Sequence, residues 1–294
     1  MSEIILSAKN LKKYYPGVRA VDGVSIELRK GEVISILGPN GAGKTTTVEI
    51  LEGLRKPDGG EIFYFNRPFR GTKEFKELIG VCLQENFFFE ELTVLETLRM
   101  YSALYKKKVD LGEIIEIFEL NEKLKSRVKN LSGGQKQRLA LALAFVNDPE
   151  IVFLDEPTVG LDPHIRRHLW DIIRHYRQKG KTIILTTHYM EEAHQLSDRV
   201  YIMDHGKIIA HGTPQELITS SGLHSVVEVR KQNLEGLKLE EFENVIISGE
   251  YVYISAINIV PILEKLLEYD IHDFVVRQPT LEDVFLKLTG RKID

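Results

Sequence analysis

Several features common in other classes of protein are scarce in this sequence. Cys82 is the only cysteine among 294 residues, so no disulfide can form within the chain, which suits a reducing cytosol. The longest unbroken apolar run, residues 139–146, is far shorter than the roughly 18 residues that span a bilayer. The start of the chain also lacks the charged-then-apolar layout of a signal peptide. We therefore expect a soluble, cytoplasmic protein that reaches a membrane only through a partner.

A surplus of basic residues is missing as well. Lysine and arginine total 39 against 43 aspartates and glutamates, which gives a net charge of −4. Proteins that bind nucleic acid generally carry a basic surplus, so we expect no nucleic-acid partner. Neither internal repeats nor sustained heptads are visible, which argues against long coiled-coil arms. With 43% hydrophobic residues the chain can build a full core, and its length suits two domains.

The most informative pattern that is present follows the apolar run at residues 33–37. It has the form G-x-x-x-x-G-K-[ST] and reads Gly38-Pro39-Asn40-Gly41-Ala42-Gly43-Lys44-Thr45-Thr46. In such a strand-loop-helix setting, backbone N–H groups turn inward on phosphates, and the helix adds the positive end of its dipole. Lys44 can reach the β- and γ-phosphates, and the Thr45 hydroxyl is placed to hold Mg²⁺. The pattern predicts a site for a nucleoside triphosphate with magnesium.

A pair of acidic residues ends a second apolar run, at residues 151–154. Asp155 is predicted to lie at the end of a core strand beside the phosphate loop, where it can anchor Mg²⁺. Glu156, one residue further on, is our candidate general base, because a carboxylate there can accept the proton of the attacking water. An exposed acidic pair at a strand end is the simpler alternative, but the phosphate loop upstream disfavours it.

The alternation of elements predicts an α/β fold. Apolar runs at residues 151–154 and 182–186, separated by a helix over about 163–178, indicate a parallel core sheet with helices on its faces. Shorter strand-like runs predict an antiparallel β subdomain near the N-terminus, at residues 3–8, 24–29 and 60–65, with a turn at Gly59-Gly60. The stretch from about 86 to 147 has helical periodicity, with Leu111, Ile114, Ile115 and Phe118 on one face, and is interpreted as a helical insertion.

The character of the sequence changes near residue 222. A hairpin over residues 245–254, a helix over 259–267, a strand at 274–277 and a last helix opened by a Thr280/Asp283 capping box indicate a small α+β domain. We therefore predict two domains, residues 1–221 and 222–294. The apolar stripes of the second are interpreted as its own core, with a dimer contact as the alternative.

A further motif distinguishes between the many kinds of phosphate-loop ATPase and GTPase. The pentapeptide Leu131-Ser132-Gly133-Gly134-Gln135 resembles the signature of ATP-binding-cassette (ABC) proteins, and other motifs of that family occur in the expected order over about residues 4–220. The resemblance implies that Tyr15 stacks on adenine (with Tyr14 the weaker candidate) and that Gln84 senses Mg²⁺ and the γ-phosphate. It also implies that Leu161 and Asp162 communicate across a dimer. His188 would contact the γ-phosphate. The catalytic set is then Glu156, His188 and Gln84, and the metal set is Thr45, Gln84 and Asp155.

The same resemblance implies a mechanism and partners. Two chains, identical or paralogous, would be joined by ATP, with the signature of one completing the phosphate site of the other. The beginning and the tail, residues 11–25 and 278–286, are similar to ATPases of multidrug, antibiotic-resistance and polysaccharide exporters, which pair with multi-span permeases. We expect the chain to lie on the inner face of the cell membrane, where Phe87, Phe88 and Phe89 either line the groove for a permease helix or pack inside the helical insertion. A non-transport ATPase of translation or chromosome type, and an importer, are the alternatives.

Overall fold

The computed structural model describes residues 3–69, 71–107, 109–234 and 237–290. It divides into two compact units, the first ending at Ile208 and the second beginning at Ile209. The boundary between residues 221 and 222 that the sequence suggests stays a prediction. Within the described ranges, no helix is both long and apolar enough to cross a membrane.

The first unit contains most of the regular structure. In chain order it begins with β1 (Ile4–Tyr15), β2 (Val18–Arg29), β3 (Val33–Leu37), α1 (Lys44–Glu52), β4 (Gly59–Tyr64), β5 (Arg67–Pro68), α2 (Lys73–Leu78) and β6 (Ile79–Cys82). It continues with α3 (Val94–Ser102), α4 (Leu111–Ile117), α5 (Gly133–Leu143), β7 (Ile151–Asp155), α6 (Pro163–Gln178), β8 (Thr182–Thr187), α7 (Met190–Leu196), β9 (Arg199–Asp204) and β10 (Lys207–Gly212). The division between the units falls inside β10.

A six-stranded sheet of order β10-β9-β3-β8-β7-β6 forms the centre of the first unit. β3 pairs in parallel with β8 and β9, and β7 pairs in parallel with β6 and β8. Every residue of β3, β7 and β8 is buried, as expected for parallel strands covered on both faces. The parallel pairing brings the carboxyl ends of these strands to one edge, which is where ligands bind in open α/β sheets.

The predicted antiparallel subdomain is present as a sheet of order β2-β1-β4-β5. Its first two strands are longer than their apolar runs because the backbone ladder continues through polar residues to the pair Tyr15 and Val18. Gly59 and Gly60 do not form the predicted turn; they open β4, where Gly59 pairs with Lys12 of β1.

The helical insertion consists of α3, α4 and α5 with two short 3-10 turns at Asn121–Lys123 and Val128–Asn130. The predicted face of α4 is buried at Ile114 and Ile115, and Phe118 just beyond it is fully buried. Phe118 packs close to Phe145, which stacks on Tyr176 of α6 with ring centroids 3.7 Å apart. One core cluster therefore includes residues of both the insertion and the parallel sheet.

The second unit is an α+β arrangement. Its elements are α8 (Pro214–Ser220), β11 (Ser225–Arg230), β12 (Val245–Ser248), β13 (Tyr251–Ala256), α9 (Val260–Glu268), β14 (Phe274–Arg277) and α10 (Leu281–Thr289), with two 3-10 turns at Lys231–Leu234 and Leu239–Glu241. The strands form an antiparallel sheet of order β12-β13-β11-β14, and the hairpin turns at Gly249 and Glu250. Ile262 and Leu266 of α9 belong to its core, and the Thr280/Asp283 capping box starts α10 as predicted.

Candidate active site

The phosphate-loop sequence forms the connection between β3 and α1. Gly43 is the N-cap residue of α1, with φ of 103°, and a Cβ there would lie 2.1 Å from the carbonyl oxygen of Ala20. Only glycine fits such a position, because the conformation is left-handed and the space is filled. No side chain caps α1, so the N–H groups of its first turn remain available to an anion.

A cavity of about 370 Å³ opens over this loop. It is lined by Ala20, Asn40, Gly41, Gly43, Lys44, Thr45, Thr46, Gln84 and Glu156. Eight of these nine residues belong to the predicted site, and the structure adds Ala20 from β2. Gly38, Pro39 and Ala42 lie in the same loop but do not line the cavity.

The floor of the cavity holds a buried ion pair. Nζ of Lys44 lies 2.9 Å from Oε1 of Glu156, and the two side chains are only 4% and 5% exposed. The ammonium also donates to the carbonyl oxygens of Gly38 and Pro39, at 2.9 and 3.1 Å. All three donors of Lys44 are therefore used, and its charge is held where a phosphate would enter.

Asp155 lies beside this pair with two hydroxyl donors. Thr45 Oγ1 is 3.3 Å from Asp155 Oδ1, and the Thr186 hydroxyl donates to the same oxygen. Burial raises the pKa of the Asp155 carboxyl above its ordinary value, although both hydroxyl donors oppose the rise. A hydroxyl and a carboxylate are hard oxygen ligands of the kind that Mg²⁺ prefers.

The metal chemistry of these residues fits Mg²⁺ bound together with a nucleotide. Over the described ranges, no group of three or more His, Cys, Asp or Glu side chains could hold a metal alone. Mg²⁺ is commonly bound through one or two protein oxygens plus substrate phosphates, and needs no such cage. Thr45, Asp155 and the cavity-lining Gln84 are the residues that would hold it.

Glu156 is fixed in an unusual backbone conformation. Its φ is 46°, in the left-handed region that non-glycine residues seldom adopt. Its N–H donates to Oγ1 and to the carbonyl oxygen of Thr186, at 2.9 and 3.2 Å, and these bonds hold the strained conformation. Oε2 lies 3.2 Å from Nδ1 of His188, so the carboxylate is placed between His188 and Lys44. Strain of this kind is concentrated at functional sites.

Two neighbouring tyrosines end β1. The Tyr14 hydroxyl donates to Asp22 at 2.9 Å, which fixes that ring. Tyr15 is exposed to a similar degree, and two cations lie near its ring centroid, Lys13 Nζ at 5.7 Å and the Arg55 guanidinium at 5.6 Å. Tyr15 does not line the cavity, so its predicted role as the adenine-stacking aromatic stays a prediction.

The signature residues surround the start of α5. Ser132 is the N-cap residue, and it forms a capping box with Gln135: their N–H to side-chain oxygen distances are 3.4 and 3.0 Å. Leu131 is buried, whereas a Cβ at Gly133 would meet nothing within 4 Å. A Cβ at Gly134 would lie 2.7 Å from Cδ1 of Ile165 in α6. None of the signature residues lines the cavity of the same chain.

Leu161 and Asp162 connect the acidic strand end to α6. The Asp162 carboxylate caps that helix by accepting from the N–H groups of His164 and Ile165, at 3.1 and 3.0 Å. Leu161 packs against the core cluster of the helical insertion.

Thr186 is the site residue that sequence reasoning missed. It binds both Asp155 and the backbone of Glu156 from the adjacent strand, in register with Asp155. The available signal was a hydroxyl residue two positions before His188, at the carboxyl end of a buried parallel strand. Ala20 gave no such signal, because its small apolar side chain resembles any other core residue.

A phosphate loop at the carboxyl edge of a parallel sheet, beside an acidic strand end, defines a P-loop nucleoside triphosphatase. The family model for ABC transporters matches residues 21–159, and the model for the C-terminal domain of the nodulation factor export protein NodI matches residues 229–290. A Nod factor export ATP-binding protein I of Rhizobium sp. (strain N33) is 37% identical over 303 residues, covering 100% of both chains. Its counterpart in Burkholderia orbicola (strain AU 1054) is 37% identical over 302 residues, covering 100% of this chain and 99% of its own.

Solved structures show the same similarity. The ADP conformation of an ATP-binding cassette of an ABC transporter aligns with a TM-score of 0.64 and 29% identity, over 73% of this chain and 93% of that one. A dimeric cassette in a post-hydrolysis state, bound to ADP and Pi, aligns with a TM-score of 0.65 and 27% identity, over 71% and 98%.

The chain belongs to the ABC transporter ATPases, in the branch of the export ATP-binding proteins. It is an ATPase that uses ATP with Mg²⁺ and powers export. The comparisons do not favour the two alternatives considered from the sequence, a non-transport ATPase and an importer.

Proposed function

We propose that Glu156 is the general base of ATP hydrolysis and that Lys44, Thr45, Asp155 and His188 bind and orient the reacting groups. The observation that supports this most directly is the Glu156 carboxylate, which is almost fully buried inside the cavity between Lys44 and His188. A carboxylate confined in this way has one oxygen toward each of two donors. It can accept a proton from a water bound beside the loop.

The other residues act on the phosphate and its metal. Thr45, Asp155 and Gln84 would hold Mg²⁺, which would neutralise charge on the phosphates. The Lys44 ammonium, already at the floor of the cavity, exchanges Glu156 for a γ-phosphate oxygen, which frees one oxygen of the base. The Thr45 hydroxyl and the Asp155 carboxylate hold the metal side, and Gln84 faces the same cavity from the end of β6. His188 orients Glu156 through Nδ1, and its contact with the γ-phosphate is part of the proposal.

Hydrolysis requires a second cassette in this proposal. The signature residues do not line the cavity of their own chain, yet Ser132 caps the N-terminus of α5, which attracts a phosphate. The Ser132 and Gly134 region of one chain would complete the site over Lys44 of the other, and Leu161 and Asp162 would lie at the contact. Two ATP molecules would then join two chains, and the solved relative bound to ADP and Pi is a dimer.

Removal of the Lys44 ammonium tests the loop assignment. We expect Lys44→Ala to weaken ATP binding by about 10- to 100-fold, because charge-assisted hydrogen bonds contribute roughly 1.5–3 kcal/mol each. Titration with a fluorescent ATP analogue measures the change. Lys179→Ala, a lysine on the surface after α6, is the matched control and should leave the affinity unchanged. Equal ATP affinity for Lys44→Ala and the parent protein would contradict the loop assignment.

A second cavity, of about 390 Å³, is the proposed docking site for the permease. It is lined by Glu52, Leu54, Lys76, Ile79, Val81, Leu83, Glu85, Asn86, Phe87, Phe88, Tyr101, Tyr105, Ala140 and Leu143. Most of this lining is apolar, and it includes both the insertion and the strand that leads to Gln84. Phe87 lines the cavity at 84% exposure, while Phe88 also packs against the core cluster. We therefore propose that Phe87 takes part in docking, while Phe88 both lines this cavity and packs inside the helical insertion.

Phe87 gives a clean test of docking because its side chain adds little to the fold. We expect Phe87→Asp to fold normally, keep basal ATPase activity and lose most of the stimulation by the permease, since a charge cannot be buried in an apolar contact. Phe89→Asp is the matched control: Phe89 is 63% exposed but does not line the cavity. The assay compares ATPase activity in membranes that contain the co-expressed permease. Full stimulation of Phe87→Asp would rule out this groove.

The working location and the cargo follow from the partner. We propose that the chain is held on the inner face of the cell membrane by a multi-span permease. The two relatives are named for Nod factor export, and the matched C-terminal family has the same name, so a Nod factor is the first cargo to test. The permease selects the cargo in such systems, so transport assays should use the cognate pair.

A further inference from the structure

A second pair of side chains, neither of which lines the cavity, joins the two segments that follow Glu156 and His188. Glu156 begins the segment that ends at α6, and His188 begins the segment that ends in α7. These segments meet once through the carboxylate of Glu156, which lines the cavity, and His188, which does not. They meet again through Thr158 and Glu192, where Thr158 Oγ1 donates to Glu192 Oε1 at 2.8 Å.

Glu192 is completely buried, and its hydrogen bonds reach a third element. The same Oε1 accepts from Nε1 of Trp170 in α6, also at 2.8 Å. Burial raises the pKa of the Glu192 carboxyl, and the hydrogen bonds from Thr158 and Trp170 oppose the rise. A buried carboxyl of this kind is costly unless it is hydrogen-bonded, so its donors hold it in one place.

The loop after Glu156 has one more fixed point. Nε2 of Gln137 in α5 donates to the carbonyl oxygen of Pro157 at 2.8 Å. The backbone between Glu156 and Leu161 also turns tightly, since the N–H of Val159 bonds to Glu156 O and the N–H of Leu161 bonds to Thr158 O. A loop fixed at successive residues transmits displacement of one end to the other, because packed segments do not deform freely.

We infer that Glu192 is a positioning residue for hydrolysis: through Thr158 it sets the separation of Glu156 and His188 and couples both to the Leu161–Asp162 segment. The inference rests on the roles proposed for Glu156 and His188. It is supported by a separate observation, the hydrogen bond between Thr158 and Glu192, neither of which lines the cavity. Glu192 itself does not line the cavity, so it acts only through the segments that it joins.

Thr158→Val tests the inference, because it removes the hydroxyl and nearly keeps the shape. We expect kcat to fall about 10-fold or more while KM for ATP changes less than about twofold, since a small misplacement of a reacting group lowers the rate without weakening binding. Thr158→Ser restores the hydroxyl and should restore kcat. Trp170→Phe is the matched control: it removes the other hydrogen bond to the same oxygen, and it should lower the thermal midpoint while kcat stays within about twofold.

A second variant keeps the test decisive if Thr158→Val does not fold. Glu192→Gln keeps an acceptor oxygen for both donors and should retain kcat within about threefold, because the inference depends on the hydrogen bond and not on the charge. Unchanged kcat in folded Thr158→Val, or an equal loss in Trp170→Phe, would overturn it. The inference would also be overturned if Glu192→Gln lost as much kcat as Glu156→Gln does. Normal hydrolysis by Glu156→Gln is a separate result, and it would contradict the proposed base instead.

Discussion

Replacing Glu156 with glutamine should lower ATP turnover by roughly 10²- to 10⁴-fold while ATP binding survives. Glutamine keeps the size of the side chain and an oxygen that can accept from Lys44 or His188, so the local geometry is preserved. What it loses is the ability to accept a proton from the attacking water. Because the cycle then stops before hydrolysis, the variant should accumulate as an ATP-bound dimer, measurable by sedimentation with and without Mg²⁺-ATP.

Glu191→Gln is a suitable control for this experiment. Glu191 is an exposed acidic residue of α7, close in sequence to His188, and its substitution makes the same change in charge. It should leave turnover unchanged. If Glu156→Gln hydrolyses ATP at a rate near that of the parent protein, another group removes the proton and the assignment of Glu156 is wrong.

Glu52 should give the protein a strong dependence of stability on pH. It is the last residue of α1, is only 2% exposed, and neither carboxylate oxygen has a hydrogen-bond partner among the described residues. Burial, reinforced by the charges of Asp155 and Glu49, raises its pKa from 4.5 to about 9. The folded protein therefore keeps this carboxyl protonated at neutral pH.

The direction of the effect follows from the two pKa values of Glu52. The stabilisation from the proton is complete below about pH 4.5 and is lost progressively as the pH rises toward about 9. Glutamine at position 52 is neutral at every pH and avoids this loss. At pH 8 we expect Glu52→Gln to exceed the parent protein in free energy of unfolding by on the order of 4 kcal/mol, and by under about 1 kcal/mol at pH 5.

The sequence offers a convenient probe for this measurement. Trp170 is the only tryptophan and is buried in α6, so its fluorescence reports on unfolding of the first unit alone. Urea unfolding between pH 5 and 9 would compare Glu52→Gln with the parent protein. Glu61→Gln, an exposed glutamate of β4, is the control and should show no pH-dependent difference. If the difference in free energy of unfolding between Glu52→Gln and the parent protein stays constant from pH 5 to 9, Glu52 is ionised in the folded state and the prediction is wrong.

The sequence could predict the positions of the phosphate loop and the acidic strand end because each follows an apolar strand of distinctive pattern. Parallel pairing then brings Asp155 and Thr45 together, as expected. The lengths of β1 and β2 could not be read from apolar runs, because their outer halves are held by backbone bonds and not by burial. The turn predicted at Gly59-Gly60 was wrong for the same reason, because backbone pairing with β1 extends β4 to include both glycines.

Contacts between distant segments were equally inaccessible. The pairing of Lys44 with Glu156 depends on the left-handed conformation at Glu156, which no local pattern indicates. The hydrogen bonds of Glu192 join residues that the sequence separates by more than twenty positions, and no local pattern links Thr158 or Trp170 to Glu192. Such residues become visible only when the fold brings buried polar groups together.

The most direct test of the central claim is to purify tagged Glu156→Gln protein with ATP from detergent-solubilised host membranes and identify the chains that co-purify. The account predicts a multi-span membrane protein in stoichiometric amount, retained with Mg²⁺-ATP, and reduced when Phe87→Asp is added. Ribosomal proteins or DNA-repair factors in place of a membrane protein would leave the ATPase site intact and contradict the role in export.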